Sequence, residues 1–219
     1  YRHMRLHASK WEAKGKRMPV AIALGVDPSI VVAAVTQFTV GVDEICMAGA
    51  IRQKPVEMVR CESVPLEVPA SAEIVLEGEL YLDELHTEGL FGEFTGYYGT
   101  KEERPVIRIN LISHRRDAIC LGSYEGKPFH ETNVLQGMPA EAVLMKQMGM
   151  PEVLDVYIPE GGCNLMAIAK IRKEFEGQGK WVGMNLMGDA AARQIKTFVV
   201  VDEDIDIRDW TEVMWAINT

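Results

Sequence analysis

Glu88-Gly89-Leu90-Phe91-Gly92-Glu93, followed by Phe94-Thr95-Gly96-Tyr97-Tyr98, sets two carboxylates five residues apart, with glycines at 89, 92 and 96 between and after them. Such glycine density disfavours a helix and most of a strand, because each glycine adds backbone entropy that folding must remove. Glycine serves instead where a backbone turns tightly or approaches another group closely. Carboxylates on such a turn can converge on one point, and a half-buried pair pushes at least one pKa upward. A proton donor working near neutral pH needs that arrangement. On spacing alone, a solvated acidic turn is the competing reading.

The flanks of this stretch read as short strands. Residues 56–60, 73–77 and 79–82 alternate with period two, and Gly78 marks a bulge between the last two. After the turn, residues 105–112 alternate again and residues 118–121 form another strand, with Arg115-Arg116-Asp117 turning between them. Closely spaced strands after a helical start predict a barrel or a strongly curved sheet. That start consists of a buried apolar strand over 19–25, then a helix with Asp27 as N-cap and Pro28 at its first position, fading by Thr39. A second short helix spans 42–50. Tyr1-Arg2-His3-Met4-Arg5-Leu6-His7 reads on its own as a basic segment with no requirement for order.

Beyond the strands the pattern changes. Residues 127–132 connect, and His130 and Glu131 do not make an acid–base pair there, since neighbours on an extended backbone point to opposite faces. Pro139 opens a helix with Ala142, Val143, Met145 and Met148 on its apolar positions, stopped by Gly149 and Pro151. A strand follows over 153–158, then a helix or strand-to-helix segment over 167–175. A β-branched buried strand covers 194–201, and Asp209 caps a short helix through Trp215. This α/β alternation predicts a second domain beginning around 140 to 150, and an α+β chain overall. The acidic run Asp202, Glu203, Asp204 and Asp206 lacks the glycine and terminal Glu of a calcium loop and reads as solvated caps.

Bulk composition excludes several functions. The chain has 219 residues, 47% of them hydrophobic and 25% charged, enough for one large domain or two small ones. A net charge of −9 argues against a nucleic-acid partner, and no basic run suggests an anionic membrane surface. Apolar stretches break well short of the roughly 20 residues needed to span a bilayer. No signal-peptide pattern opens the chain. Cys46, Cys61, Cys120 and Cys163 are scattered without a Cys-x-x-Cys pair, which predicts free thiols in a reducing cytoplasm.

The run Val68-Pro69-Ala70-Ser71-Ala72-Glu73-Ile74-Val75-Leu76-Glu77-Gly78, leading into Glu88-Gly-Leu-Phe-Gly-Glu93, resembles the signature of the UbiD family of decarboxylases. The resemblance runs from Tyr1-Arg2 to the C-terminus. It implies a split β-barrel flavin-binding domain over 1–140 and an α/β oligomerisation domain over 141–219. It also implies prenylated flavin mononucleotide, Mn²⁺ and K⁺ as cofactors, with a flavin prenyltransferase as supplier. Arg2, Glu88 and Glu93 match the family's catalytic Glu–Arg–Glu network, with Glu93 as proton donor and Glu88 as its partner with Arg2. Glu44 matches a metal-binding Glu, and Val35-Thr36-Gln37 a loop against the flavin and a monovalent cation. Phe94 and Leu135 match positions bordering the substrate pocket. The family's Asn metal ligand would fall five residues before Arg2, ahead of Tyr1. The segment with its His ligand, near 8–18 here, is shorter by roughly twenty residues, an ordinary scale for loop variation. His7 is the substitute the sequence offers. At the C-terminus relatives continue with a further helix and a phosphate-contacting Lys, so this domain reads as incomplete.

Three functions follow as expectations. The first is reversible non-oxidative decarboxylation of an aromatic or α,β-unsaturated carboxylic acid through a prenylated-flavin cycloadduct, in a homodimer or homohexamer. The second is a non-catalytic assembly subunit of a multi-subunit decarboxylase. The third is a conventional flavin oxidoreductase on a split barrel, which does not need the two glutamates.

Overall fold

A computed structural model describes residues 2–36, 38, 41–188 and 192–219. The chain divides into two compact units, one of residues 1–34, 38–91 and 98–122, the other of residues 35–37, 92–97 and 123–219. The first unit opens with helix α1 (Arg2–Glu12), so the basic start is ordered. Strand β1 (Met18–Leu24) and helix α2 (Pro28–Val35) follow. Asp27 caps α2 as expected, its Oδ1 accepting from the Ser29 amide at 2.9 Å and the Ser29 hydroxyl at 2.6 Å. Helix α3 (Glu44–Arg52) has Asp43 as its N-cap, and Gln53 ends it in the left-handed conformation.

Strands β2 (Met58–Arg60) and β3 (Glu67–Pro69) form a small antiparallel ribbon. The main sheet has the order β1-β4-β5, all antiparallel, with β4 (Ile74–Glu88) at its centre and β5 (Glu102–His114) on its edge. The two strands expected over 73–82 are therefore one long strand. Register shifts at Glu77/Gly78 and Tyr81/Leu85 absorb the irregularities without ending it. The strand expected over 118–121 is absent: the Ile119 amide donates to Glu73 Oε2 at 3.2 Å rather than to a neighbouring strand. Among the described residues the strands form sheets of three, two and three, and no closed barrel.

Glu77, 1% exposed, anchors this unit from within. Its carboxylate accepts from the Glu62 amide at 3.1 Å and from the Ser63 amide and hydroxyl at 2.6 and 2.7 Å. The small cluster of Val68, Ala72 and Val75 lies in the same unit, with Cys61 packed against it. Burial works against the Glu77 charge, but the donors from Ser63 and Glu62 prevail and hold its carboxyl below the ordinary value.

The second unit is a sheet buried on both faces. Strand β6 (Val153–Tyr157) pairs antiparallel with β7 (Met166–Ile171), which pairs parallel with β8 (Thr197–Asp202). Along β7, Ala167, Ala169 and Ile171 face a core shared with helices α4 (Glu131–Met148) and α5 (Gln178–Gly188). Ile168 faces the opposite core with Val201, Ile207 and Val213, the last on helix α6 (Trp210–Asn218). Two covered faces explain the near-continuous apolar run of β7, which single-face alternation does not describe. Of the segment expected as a helix or strand-to-helix over 167–175, residues 167–171 are strand, and the following helix starts only at Gln178. Asp209 caps α6, accepting from the Thr211 amide at 2.8 Å.

Helix α4 begins eight residues before Pro139, which sits in its interior. Proline removes the bond to the carbonyl four residues back, here Leu135, so local propensity predicts a start at Pro139. Packing overrides it: Leu144 is fully buried in the core and Asn133, in the first turn, is 1% exposed. No helix among the described residues is long and apolar enough to cross a membrane.

Replacing Glu77 with Ala removes three hydrogen bonds to a buried carboxylate and is expected to lower stability by about 1–3 kcal/mol, read from denaturant melts at pH 7. Because the folded pKa lies below the unfolded 4.5, the wild-type contribution is fully present above that value and is lost as pH falls through the folded one. The gap between wild type and Glu77→Gln should therefore narrow in melts taken below pH 4.

Candidate functional site

The glycine-rich stretch divides between the two units. Glu88 ends β4 as an exposed strand residue in the first unit, so the strand runs further into the motif than its glycines suggest. Its carboxylate lies 3.6 Å from the Arg104 guanidinium of β5, which also pairs with Glu102. All three side chains are about half exposed, so these pairs add little stability.

Glu93 belongs to the second unit and stands at the head of a tight hairpin. The Gly96 amide donates to the Glu93 carbonyl at 2.9 Å, closing a four-residue turn, and the Glu93 amide donates to the Tyr97 carbonyl at 2.9 Å. Gly96 has a φ of +84°, the left-handed residue that completes a hairpin with a glycine bulge. This hairpin is seated on the segment that leads into α4. A Cβ at Gly96 would stand 2.6 Å from Lys127 Cα, and one at Gly92 would stand 3.3 Å from the Glu125 carbonyl oxygen. The Phe94 carbonyl meets the His130 ring at Nε2, 3.2 Å away. The glycines therefore permit close backbone approach, and the half-buried Glu93 side chain is carried on a clamped backbone.

Other expected residues fall as follows. Arg2 begins α1. Gln37 lies outside the described residues, Val35 is exposed at the end of α2, and Thr36 just beyond it is half-buried. Phe94 and Leu135 are both half-buried, in the hairpin and in α4. Glu44 opens α3, and His3 of α1 faces it, with Nδ1 3.9 Å from Oε1. His3, not His7, is thus the imidazole that meets Glu44. An imidazole and a carboxylate are donor types that suit a first-row divalent cation. No group of three or more His, Cys, Asp or Glu side chains is gathered for a metal among the described residues. The acidic run after β8 is used locally: Asp206 accepts from the Arg208 amide at 2.9 Å, and Glu203 pairs with Arg172 at 3.2 Å.

Sequence reasoning missed two further residues. His130 is 7% exposed at the N-cap of α4, while Glu131 beside it is exposed, so the two point apart as expected. Asn133 accepts from the His130 amide through Oδ1 at 3.4 Å. An Asn three residues after a cap position was the available signal.

Residues 1–128 match the family model described as the 3-octaprenyl-4-hydroxybenzoate carboxy-lyase Rift-related domain, and residues 133–219 match that of the carboxy-lyase's C-terminal domain. The chain belongs to the UbiD family. An evolved dimeric form of the UbiD-class enzyme HmfF from Pelotomaculum thermopropionicum, solved with prenylated FMN, is 35% identical with a TM-score of 0.88, covering 99% of this chain and 50% of its own. Vanillic acid decarboxylase from Sedimentibacter hydroxybenzoicus, in its closed form, is 30% identical with a TM-score of 0.88, covering 99% and 46%. The 3,4-dihydroxybenzoic acid decarboxylase of Klebsiella pneumoniae is 31% identical with a TM-score of 0.82, covering 99% and 47%. The chain spans about half the length of these solved UbiD proteins.

Gly96→Ala should unseat the hairpin, because it adds a left-handed penalty of about 1–2 kcal/mol to a backbone collision at Lys127. The expected result is faster proteolytic cleavage within 92–97 in the variant, with Gly15→Ala as control, since nothing lies near a Cβ at Gly15 and its φ of +63° carries the same penalty.

Proposed function

We propose that the protein containing this chain catalyses the reversible non-oxidative decarboxylation of an aromatic or α,β-unsaturated carboxylic acid, with prenylated FMN as cofactor. The clamped hairpin that holds Glu93 carries this reading, because a proton donor must be fixed in place before its acidity can be used. Family membership supports the reaction class. Glu93 is the proton donor. When the substrate carboxylate leaves as carbon dioxide, its bonding electron pair stays on carbon, the Glu93 proton takes the vacated position, and solvent returns a proton to Glu93. Glu88 is the partner of Glu93, with Arg2 as the guanidinium. Always charged and bidentate, that guanidinium orients the substrate carboxylate and favours an ionised Glu88. Phe94 and Leu135 supply apolar walls for the substrate.

The cofactor assignments rest on donor chemistry. Glu44 and His3 offer oxygen and nitrogen ligands for Mn²⁺. The C-terminal end of α2 at Val35 and Thr36, where the helix dipole is negative, suits K⁺, and Gln37, next in sequence, is assigned to the same site by family resemblance. Prenylated FMN, when bound, supplies the electron sink that lets carbon dioxide depart. A flavin prenyltransferase would furnish it. Residues 1–140 are read as the split-barrel flavin domain and residues 141–219 as an α/β domain that assembles a homodimer or homohexamer. The four cysteines are free thiols, which fits a cytoplasmic protein.

The test is turnover of aromatic acids by the full-length protein loaded with prenylated FMN. Glu93→Gln is expected to lower kcat by about 10²–10⁴-fold, the range for loss of a general acid, with carbon dioxide release as the readout. Full turnover in that variant would overturn the assignment.

A further inference from the structure

We propose that His130 is a positioning residue for the proton donor, an inference that rests on the reading of Glu93 above. His130 is buried, and the contact of its Nε2 with the Phe94 carbonyl is the ring's one hydrogen bond among the described residues, since Nδ1 has no partner. A carbonyl oxygen only accepts, so the ring carries its hydrogen on Nε2 and donates it. Phe94 and Thr95 are the two central residues of the Glu93–Gly96 turn, so this carbonyl belongs to its central peptide. That peptide distinguishes the common turn types, which differ by a flip of its carbonyl. His130 therefore fixes the central peptide of the turn that Glu93 opens, and losing this bond would loosen the turn whose hydrogen bonds from Gly96 to the Glu93 carbonyl and from the Glu93 amide to Tyr97 hold the Glu93 backbone.

The other end of the bond is rigid. His130 occupies the N-cap of the 18-residue helix α4, and its amide donates to Oδ1 of Asn133, itself 1% exposed. The Tyr124 ring packs edge-on against it with centroids 6.2 Å apart. The turn is thus tied to the start of a packed helix through one buried donor, beside the glycine contacts at Lys127 and Glu125. Glycine contact excludes bulk but does not choose a peptide orientation. A directed hydrogen bond does.

The experiment compares wild type, His130→Leu, His130→Gln and His130→Asn in the full-length protein. Gln can place an amide donor near the Nε2 position, whereas Asn keeps a polar group but falls short of Phe94. Backbone hydrogen–deuterium exchange on protein without added cofactor is expected to show the Gly96 amide exchanging about tenfold faster in the Leu and Asn variants, and near the wild-type rate in Gln. In loaded protein, kcat should fall roughly 10- to 100-fold in Leu and Asn with KM unchanged, and recover in Gln. In a Glu93→Gln background, His130→Leu should cost nothing further, since it acts through Glu93. Unchanged exchange at Gly96, or a kcat that stays at the wild-type value while exchange quickens, overturns the proposal. Undiminished turnover in Glu93→Gln alone would instead sink the parent reading, whatever the His130 series shows.

Discussion

The contact between the 92–97 hairpin and the chain at 125–130 is the constraint on which the proposed chemistry depends. Two backbones approach closely enough that a methyl group at residue 96 would collide with a main-chain carbon. Such proximity is open only to glycine, and the left-handed geometry at Gly96 requires the same residue for a second reason. A carboxylate on a free loop samples many positions and delivers a proton inefficiently. A carboxylate whose backbone is packed on one side and hydrogen-bonded through the neighbouring peptide has few.

The rest of the second unit gives that contact its stiffness. Helix α4, whose N-terminus meets the hairpin, is held by the core of Leu144, Val156, Ile171 and Leu186. Ile168 on the other sheet face joins a second core closed by α6. Helix α5 packs over β8, where Cβ atoms at Gly179 and Gly183 would meet Val200 at 3.7 and 3.6 Å, ordinary van der Waals contact. In the first unit a buried carboxylate plays the comparable part, with Glu77 gathering the amides of Glu62 and Ser63 onto the central strand. A polar group so buried is stabilising because both its oxygens find donors nearby.

Much of this was legible in the residues. Asp27-Pro28 and Asp209 announced helix starts, since a cap acts within two or three residues of itself. The bulge at Gly78 was read correctly, although the strand runs through it. What escaped the sequence were elements decided by distant packing. Pro139 argues locally for a helix start, yet the helix begins at Glu131, with Asn133 buried before the proline and Leu144 buried in the core after it. The glycines of α5 lower helix propensity, so the helix is visible only through the strand it packs against. Residues 118–121 form no strand, and the Ile119 amide is taken by the Glu73 carboxylate instead of a partner strand. In the site, the motif glycines foretold a close approach but not its counterpart. His3 facing Glu44, and His130 facing Phe94, join residues 41 and 36 positions apart that no local pattern connects.

The most direct test of the whole account is the identity of the flavin bound by the full-length protein expressed together with a flavin prenyltransferase. Mass and absorbance of the co-purified molecule are predicted to show FMN enlarged by one dimethylallyl-derived unit. Unmodified FMN, or an empty protein, under conditions that load HmfF from Pelotomaculum thermopropionicum with prenylated FMN, would contradict the assignment of a prenylated-flavin decarboxylase.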